Sequence, residues 1–266
     1  MKELMDQMGT KHLFEYTPKR IISLVPSQTE LLYDLGLEDS LVGITKFCIH
    51  PYHLKATKTI VGGTKKIKID KIKALNPDII ICNKEENTKE IVEELSSVCP
   101  VWVTDVLTIE DNLKMIDDFG LLFNKRTEAR KWIDKTHFAW EDFKKNIADK
   151  PIKKAAYFIW ANPYMVAGNT TFINELLHLN HFNNIYENKD SRYPEVELRK
   201  IRLEGDPDYV FLSSEPFPFK DEHAFEIGRA THHAKTVFVD GEMFSWYGSR
   251  LVKAFDYFKK LHEKIA

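Results

Sequence analysis

The chain has 266 residues, 43% hydrophobic and 29% charged, with a formal net charge of -2. That is enough for one large or two modest domains, and the balanced, dispersed charge argues against a nucleic-acid binder. No apolar run approaches a membrane-spanning length, and Cys48, Cys82 and Cys99 can neither all pair nor show metal-type spacing.

The opening segment, MKELMDQMGTKHLFEY, mixes acids with bases and lacks the apolar stretch of a signal peptide, so the chain as given reads as cytoplasmic. Residues 1–19 read as a loosely attached entry segment. Residues 20–25 (RIISLV) form a β-branched, buried strand. Ser27 and Glu30 have capping-box spacing, so a helix is predicted to start there and to stop at Gly36. Strands follow over 41–45 and 59–63, a short helix over 69–75, a strand over 79–82, a helix over 85–96, a strand over 100–104 and a helix over 109–122. Strands alternating with helices imply parallel βαβ units with covered faces.

Residues 124–150 contain neither Gly nor Pro. Ala129, Trp132, Ile133, Phe138, Trp140, Phe143 and Ile147 recur at three- and four-residue steps, the periodicity of a helix. Such a helix would be roughly 40 Å long at 1.5 Å per residue. Trp132 and Trp140 are assigned to the core. Beyond it the pattern restarts: a strand over 154–160, a helix over 171–179, a short helix over 198–203, strands over 209–213 and 236–239, and a closing helix over 251–265. KIKALNPDIIICNKEE, from Lys71, matches KIRLEGDPDYVFLSSEP, from Lys200, with one added residue. Each copy reads short helix, Pro-Asp turn, buried strand, then Glu85 or Glu215. The expected fold is α/β: two Rossmann-like lobes, 1–123 and 151–266, with mainly parallel sheets, joined by one long backbone helix over 124–150, with a cleft between the lobes.

Motifs for chemistry are sparse. There is no G-x-S-x-G, S-x-x-K, H-E-x-x-H or C-x-x-C, and Gly62-Gly63-Thr64-Lys65 lacks phosphate-loop spacing. His232-His233 reads as a solvated pair. No catalytic residue is assigned, and the chain is read as a non-enzyme. The strand-to-helix loops carry the signal instead, because α/β sheets bind ligands beyond the carboxyl ends of their strands. Those loops hold Phe47, Cys48, His50, Thr64 and Lys65 in the first half. In the second they hold Trp160, Tyr164, Tyr193, Glu215, Trp246, Tyr247 and Arg250. Aromatic walls with few polar anchors suit a small molecule; packing beneath the loops is the plainer use of each ring alone.

RIISLVPSQTELLYDLG, VGGTKKIKIDKIKALNPDIII and PDYVFLSSEP together resemble the substrate-binding proteins of ABC importers with a rigid helical backbone. Members serve cobalamin, haem and ferric siderophores, and the cobalamin-binding branch is the most similar. The resemblance runs from Arg20 to Ala266. It implies a periplasmic, monomeric protein with limited closure on its ligand, no intrinsic cofactor, and a metal chelate as cargo. It also implies that Phe47 to His50, Thr64, Lys65, Tyr164, Tyr193, Trp246 and Arg250 line the site; on the binding-protein reading, Arg250 and Lys65 would meet acidic or amide groups of the ligand and His50 would be available as an axial metal ligand. Docking on a permease would use Asp70 in the first lobe. The matching position in the second is Arg199, which breaks the pattern and leaves Glu195 or Glu197 as substitutes. A cofactor-handling enzyme or chaperone, and a sensory scaffold, are the other functions such a fold could serve.

Overall fold

The entry segment is an ordered hairpin in the computed structural model, which describes residues 1–265. Strands β1 (Lys2–Met5) and β2 (Lys11–Phe14) pair antiparallel. Asp6 organises the turn: Oδ1 accepts from the backbone N–H of Met8 and Thr10, and Oδ2 meets His12 Nε2 at 3.1 Å. Oδ2 also accepts from Val103 N, and Gln7 Oε1 from Asp105 N, so two hairpin side chains cap the outer edge of a sheet strand. Residues 1–19 are therefore held by long-range polar contacts, which apolar periodicity could not reveal.

The chain forms two compact units. The first comprises residues 1–138 and 247–252, the second 139–246 and, among the described residues, 253–265. In the first, β3 (Ile21–Ser23), α1 (Pro26–Asp34), β4 (Leu41–Ile44), α2 (Leu54–Thr57), β5 (Thr59–Ile60), α3 (Ile69–Ala74), β6 (Ile79–Asn83), α4 (Lys89–Ser96), β7 (Val101–Thr104) and α5 (Ile109–Leu122) follow in order. The sheet order is β5-β4-β3-β6-β7, all parallel. Every residue of β6 is buried, as a central parallel strand covered on both faces requires. Ile22, Val61, Ile72, Ile80, Leu95 and Val101 share one core cluster.

Helix α1 starts two residues earlier than the capping-box spacing predicts, with Val25 rather than Ser27 at its N-cap. Pro26 opens it and no side chain caps it. Ser27 and Glu30 are buried inside the helix, where Glu30 has another partner, described below. Helix α4 starts at Lys89 rather than at residue 85, because the Thr88 side chain caps Ile91 N.

Helix α6 (Arg126–Ile147) is continuous, and its residues belong to the first unit up to Phe138 and to the second from Ala139. Its buried positions Ala129, Thr136, Ala139, Phe143 and Ile147 lie three to seven residues apart, with half-buried Trp132 and Ile133 filling the first gap. Phe138 lies off that stripe and is 76% exposed, contrary to its expected place in the apolar set.

The second unit contains β8 (Lys153–Trp160), β9 (Met165–Val166), α7 (Phe172–Leu179), β10 (Phe182–Asn184), α8 (Ile201–Glu204), β11 (Tyr209–Ser213), α9 (Asp221–Thr231), β12 (Lys235–Val239), α10 (Gly241–Ser245) and α11 (Leu251–Ile265). Strands β10-β8-β11-β12 are parallel, and β9 pairs antiparallel with β8. One core cluster contains Phe158, Val166, Tyr186, Val210 and Leu212. A separate run of rings links Tyr157, Phe244, Phe258 and Phe143 at 4.8 to 5.8 Å between centroids.

Candidate functional site

Strand order places the switch point of each sheet. In the first unit the chain moves outward from β3 through β4 to β5, then returns to β6 on the other side of β3. The crevice beyond the carboxyl ends therefore opens between β3 and β6. In the second it opens between β8 and β11.

Three loops meet beside the first switch point. Phe47, after β4, is 49% exposed, with the Lys46 ammonium 4.8 Å from its ring centroid. The 62–67 turn lies beneath that ring. Gly62 adopts φ +126°, and Gly63 approaches so closely that a Cβ there would lie 3.1 Å from Phe47 Cε2. Thr64 is fixed through its carbonyl, which accepts from Asn87 Nδ2 at 2.9 Å, and Lys65 Nζ donates to the Glu85 carbonyl. Asn83, ending β6, accepts from the N–H groups of Glu85 and Glu86 at 2.9 and 3.2 Å, which shapes that loop. His50 is half-buried at the end of the β4 loop.

Other predicted residues are placed differently. Cys48 is fully buried, its sulfur 3.1 Å from Thr29 Oγ1 and 3.2 Å from Thr45 Oγ1, and burial pushes its thiol above the usual range. Tyr247 is also buried: its hydroxyl accepts from Gln28 Nε2 at 3.1 Å, and desolvation first, then the charges of Glu86 and Glu85, keep it protonated. Arg250 is 4% exposed and bidentate to Glu30, Nε to Oε2 at 2.7 Å and Nη2 to Oε1 at 3.0 Å. The expected anion anchor is thus an internal ion pair, committed to a carboxylate of α1. Its neighbour Gly248 donates its N–H to Asn112 Oδ1 at 2.6 Å, which ties residues 247–250 to α5.

In the second unit, Trp160 ends β8 40% exposed, its ring edge-on to Phe217 at 5.5 Å. Phe217 in turn meets Phe219 at 5.0 Å. Tyr164 packs edge-on to Phe158 and donates its hydroxyl to Glu226 Oε2 at 2.7 Å. Tyr193 is half-buried. Glu215, two residues after the end of β11, is half-buried and takes two donors on one oxygen: Trp246 Nε1 at 2.8 Å and Ser245 Oγ at 3.1 Å. Desolvation raises its carboxyl above the usual 4.5, the bonds from Trp246 and Ser245 oppose that, and Glu242 and Asp240 reinforce it. Trp246 is 8% exposed, its indole N–H directed to Glu215.

Phe47, Thr64 and Lys65 are therefore grouped in the first unit, and Trp160, Glu215 and Trp246 in the second. Gln28, Asn83 and Lys46 were not singled out from the sequence. Gln28 bonds both Thr104 Oγ1 and Tyr247 at the β3 switch point, and only the strand order identifies that position. Among the described residues no group of three or more His, Cys, Asp or Glu side chains is placed to hold a metal ion. Asp70 is exposed in the first turn of α3. Glu195 is exposed, whereas Glu197 forms ion pairs with Arg199 and Lys200, each at 2.5 Å. No helix among the described residues is long and apolar enough to cross a membrane.

Parallel α/β units with exposed rings and few polar groups beyond their strand ends define an α/β ligand-binding protein. The chain belongs to the periplasmic binding protein family, which it matches over residues 21–235. It is 23% identical over 246 residues to an uncharacterised ABC transporter substrate-binding lipoprotein of Bacillus subtilis, covering 89% of this chain and 77% of that protein. It is 24% identical over 203 residues to a vitamin B12-binding protein of Vibrio parahaemolyticus, covering 73% and 70%. The crystal structure of the periplasmic vitamin B12 binding protein of Vibrio cholerae matches the fold with a TM-score of 0.80 at 19% identity, covering 93% of this chain and 99% of that one.

Proposed function

We propose that the chain is the substrate-binding component of an ABC importer and that its cargo is a metal-containing cofactor or chelate, with a cobalamin-like corrinoid ahead of haem or a ferric siderophore. The observation that carries this reading is the placement of exposed Phe47 and Trp160 on loops beyond the carboxyl ends of parallel strands, in a chain of this family. Large flat rings there can stack on a macrocycle; Lys65 and Thr64 of the first unit, and Glu215 of the second, are polar groups of the kind that bond a cargo's periphery. The name of the Vibrio parahaemolyticus relative supports the corrinoid. His50 is the one imidazole among the proposed site residues, and its role is axial ligation of the cargo metal. The metal arrives with the cargo, and the protein holds no cofactor of its own.

Asp70, exposed on α3, is the docking acid of the first unit. In the second, Arg199 and Lys200 hold the Glu197 carboxyl below its usual range and neutralise it, so Glu195 is the docking acid there. The protein works outside the cytoplasmic membrane and delivers cargo to a permease. Absorption titration with cyanocobalamin, haemin and a ferric siderophore, paired with calorimetry, tests the reading. A saturable spectral change with heat is expected for the corrinoid; silence with all three sinks it.

A further inference from the structure

Resting on that reading of the loops as a ligand site, we propose that Glu215 filters cargo by charge. It is a fixed carboxylate that accepts cargo presenting amides or other uncharged polar groups to the second unit and rejects cargo presenting carboxylates there.

The geometry is specific to this side chain. Glu215 follows β11 at the switch point with β8, two residues before Phe217, whose ring meets that of exposed Trp160. Trp246 Nε1 and Ser245 Oγ both donate to Oε1, so the carboxylate cannot rotate freely. Oε2 receives no hydrogen bond among the described residues, and the residue is only half-buried. Helix α10 locks the arrangement from behind. A Cβ at Gly241 would lie 2.4 Å from Ser213 Oγ and 2.6 Å from Glu215 Cγ, so only glycine lets the helix come this close. The outcome is one carboxylate oxygen fixed through Trp246 and Ser245, on the loop that carries Phe217 two residues later.

The charges that act most strongly on Glu215 are themselves carboxylates, so an incoming anion at that oxygen would meet like charge. The groups acting on Glu215 are the carboxylates of Asp240 and Glu242 and the donors Trp246 and Ser245. Tyr157 of β8 and Tyr257 of α11 stay protonated, their hydroxyls pushed up by burial. Arg250, which the sequence offers as an anion anchor, is closed into its pair with Glu30. A carboxylate on the cargo would meet a like charge in a partly desolvated setting. An amide can donate its N–H to Oε2 and form a charge-assisted bond.

The test uses the purified full chain with two probes: cyanocobalamin, whose periphery carries amides, and haemin, which carries two propionates. Affinities are measured by absorption and calorimetry at pH 7 for wild type and Glu215→Gln. The glutamine keeps an acceptor for Trp246 and Ser245. Wild type is expected to favour cyanocobalamin by about tenfold or more. Glu215→Gln is expected to weaken cyanocobalamin by about tenfold, because the charge-assisted bond at the Oε2 position is lost, and to tighten haemin by about tenfold, the scale of one charge contact. Should the variant fail to fold, wild type alone decides. Raising salt screens the repulsion and should narrow the gap between the probes. A probe ratio unmoved by either the glutamine or salt overturns the proposal while leaving the ligand-site reading intact. Wild type that binds neither probe overturns both.

Discussion

The two Pro-Asp turns do the same structural work, yet the loops at the far ends of the strands they lead into differ in chemistry. Before β6, the Asp78 N–H donates to the Arg20 carbonyl, and its carboxylate accepts from the N–H groups of Lys19 and Arg20. Arg20 reaches back to the Leu75 and Asn76 carbonyls. Before β11, the Asp208 N–H donates to the Lys154 carbonyl, its carboxylate accepts from Lys154 N, and Lys154 Nζ reaches the Gly205 carbonyl. Asn76 and Asp206 both take positive φ, at 45° and 51°. In each unit a basic residue opening one central strand is clamped to the turn leading into the next. After the strand the likeness ends. Asn83 folds the first unit's loop with its amide, whereas Ser213 lets Glu215 project a carboxylate held by an indole. The repeated part sets strand register, and the unrepeated part carries the recognition chemistry.

The largest expected effect breaks an anchor present in the first unit alone. Arg250→Ala would leave Glu30 buried without its guanidinium and should destabilise by about 3–5 kcal/mol in urea titrations. Replacing both residues by methionine should recover most of that loss; a double variant as unstable as the single one would show that the ion pair is not the cause.

Acid should separate the units. Burial, with the nearby charges of Lys150 and His181, holds His262 down at about 4 rather than 6.5. Folded His262 is neutral where the unfolded chain takes a proton. Its stabilisation is therefore complete above pH 6.5 and is lost as pH falls towards 4, by about 2–3 kcal/mol. Asp6, in the first unit, titrates in the other direction. Burial would raise it, but hydrogen bonds from His12, Thr10 and Val103 and the His12 charge hold it below 3.8, so its contribution fades only in stronger acid. Hydrogen exchange at pH 7, 5 and 4 should show β8, β10 and α11 losing protection before β6 and β7, and His262→Asn should abolish the difference.

The two turns invite a matched pair of substitutions. Asp78→Ala removes a carboxylate with two backbone donors and should cost about 2 kcal/mol, against about 1 kcal/mol for Asp208→Ala, which loses one. Equal losses in denaturant would mean that the extra bond from Lys19 contributes nothing. The smallest effect is expected at Phe138→Ala, within about 0.5 kcal/mol by thermal melting, because the ring is 76% exposed.

Much of this was legible before any coordinates. The Lys71 and Lys200 repeat, the buried strands 79–82 and 209–213 and the long helix follow from period, turn residues and length, which are local properties. The hairpin at residues 1–19 was not legible, because Asp6 and Gln7 bond a strand nearly a hundred residues away. Nor was the placement of Tyr247 to Arg250. A loop arginine among aromatics reads as a ligand anchor until Glu30, 220 residues earlier, is seen to close on it. Trp246 and Tyr247 look like one aromatic pair in sequence, yet Trp246 belongs to the second unit and Tyr247 to the first.

The alternation of strands and helices, the duplicated turn-and-strand grammar and the aromatic bias of the loops are readable from the chain alone, because periodicity and turn chemistry act over a few residues. Tertiary structure alone decided which charges remain available to a ligand. A carboxylate or guanidinium is equally polar in any loop, and only long-range packing pairs Arg250 with Glu30 while fixing Glu215 on Trp246 and Ser245.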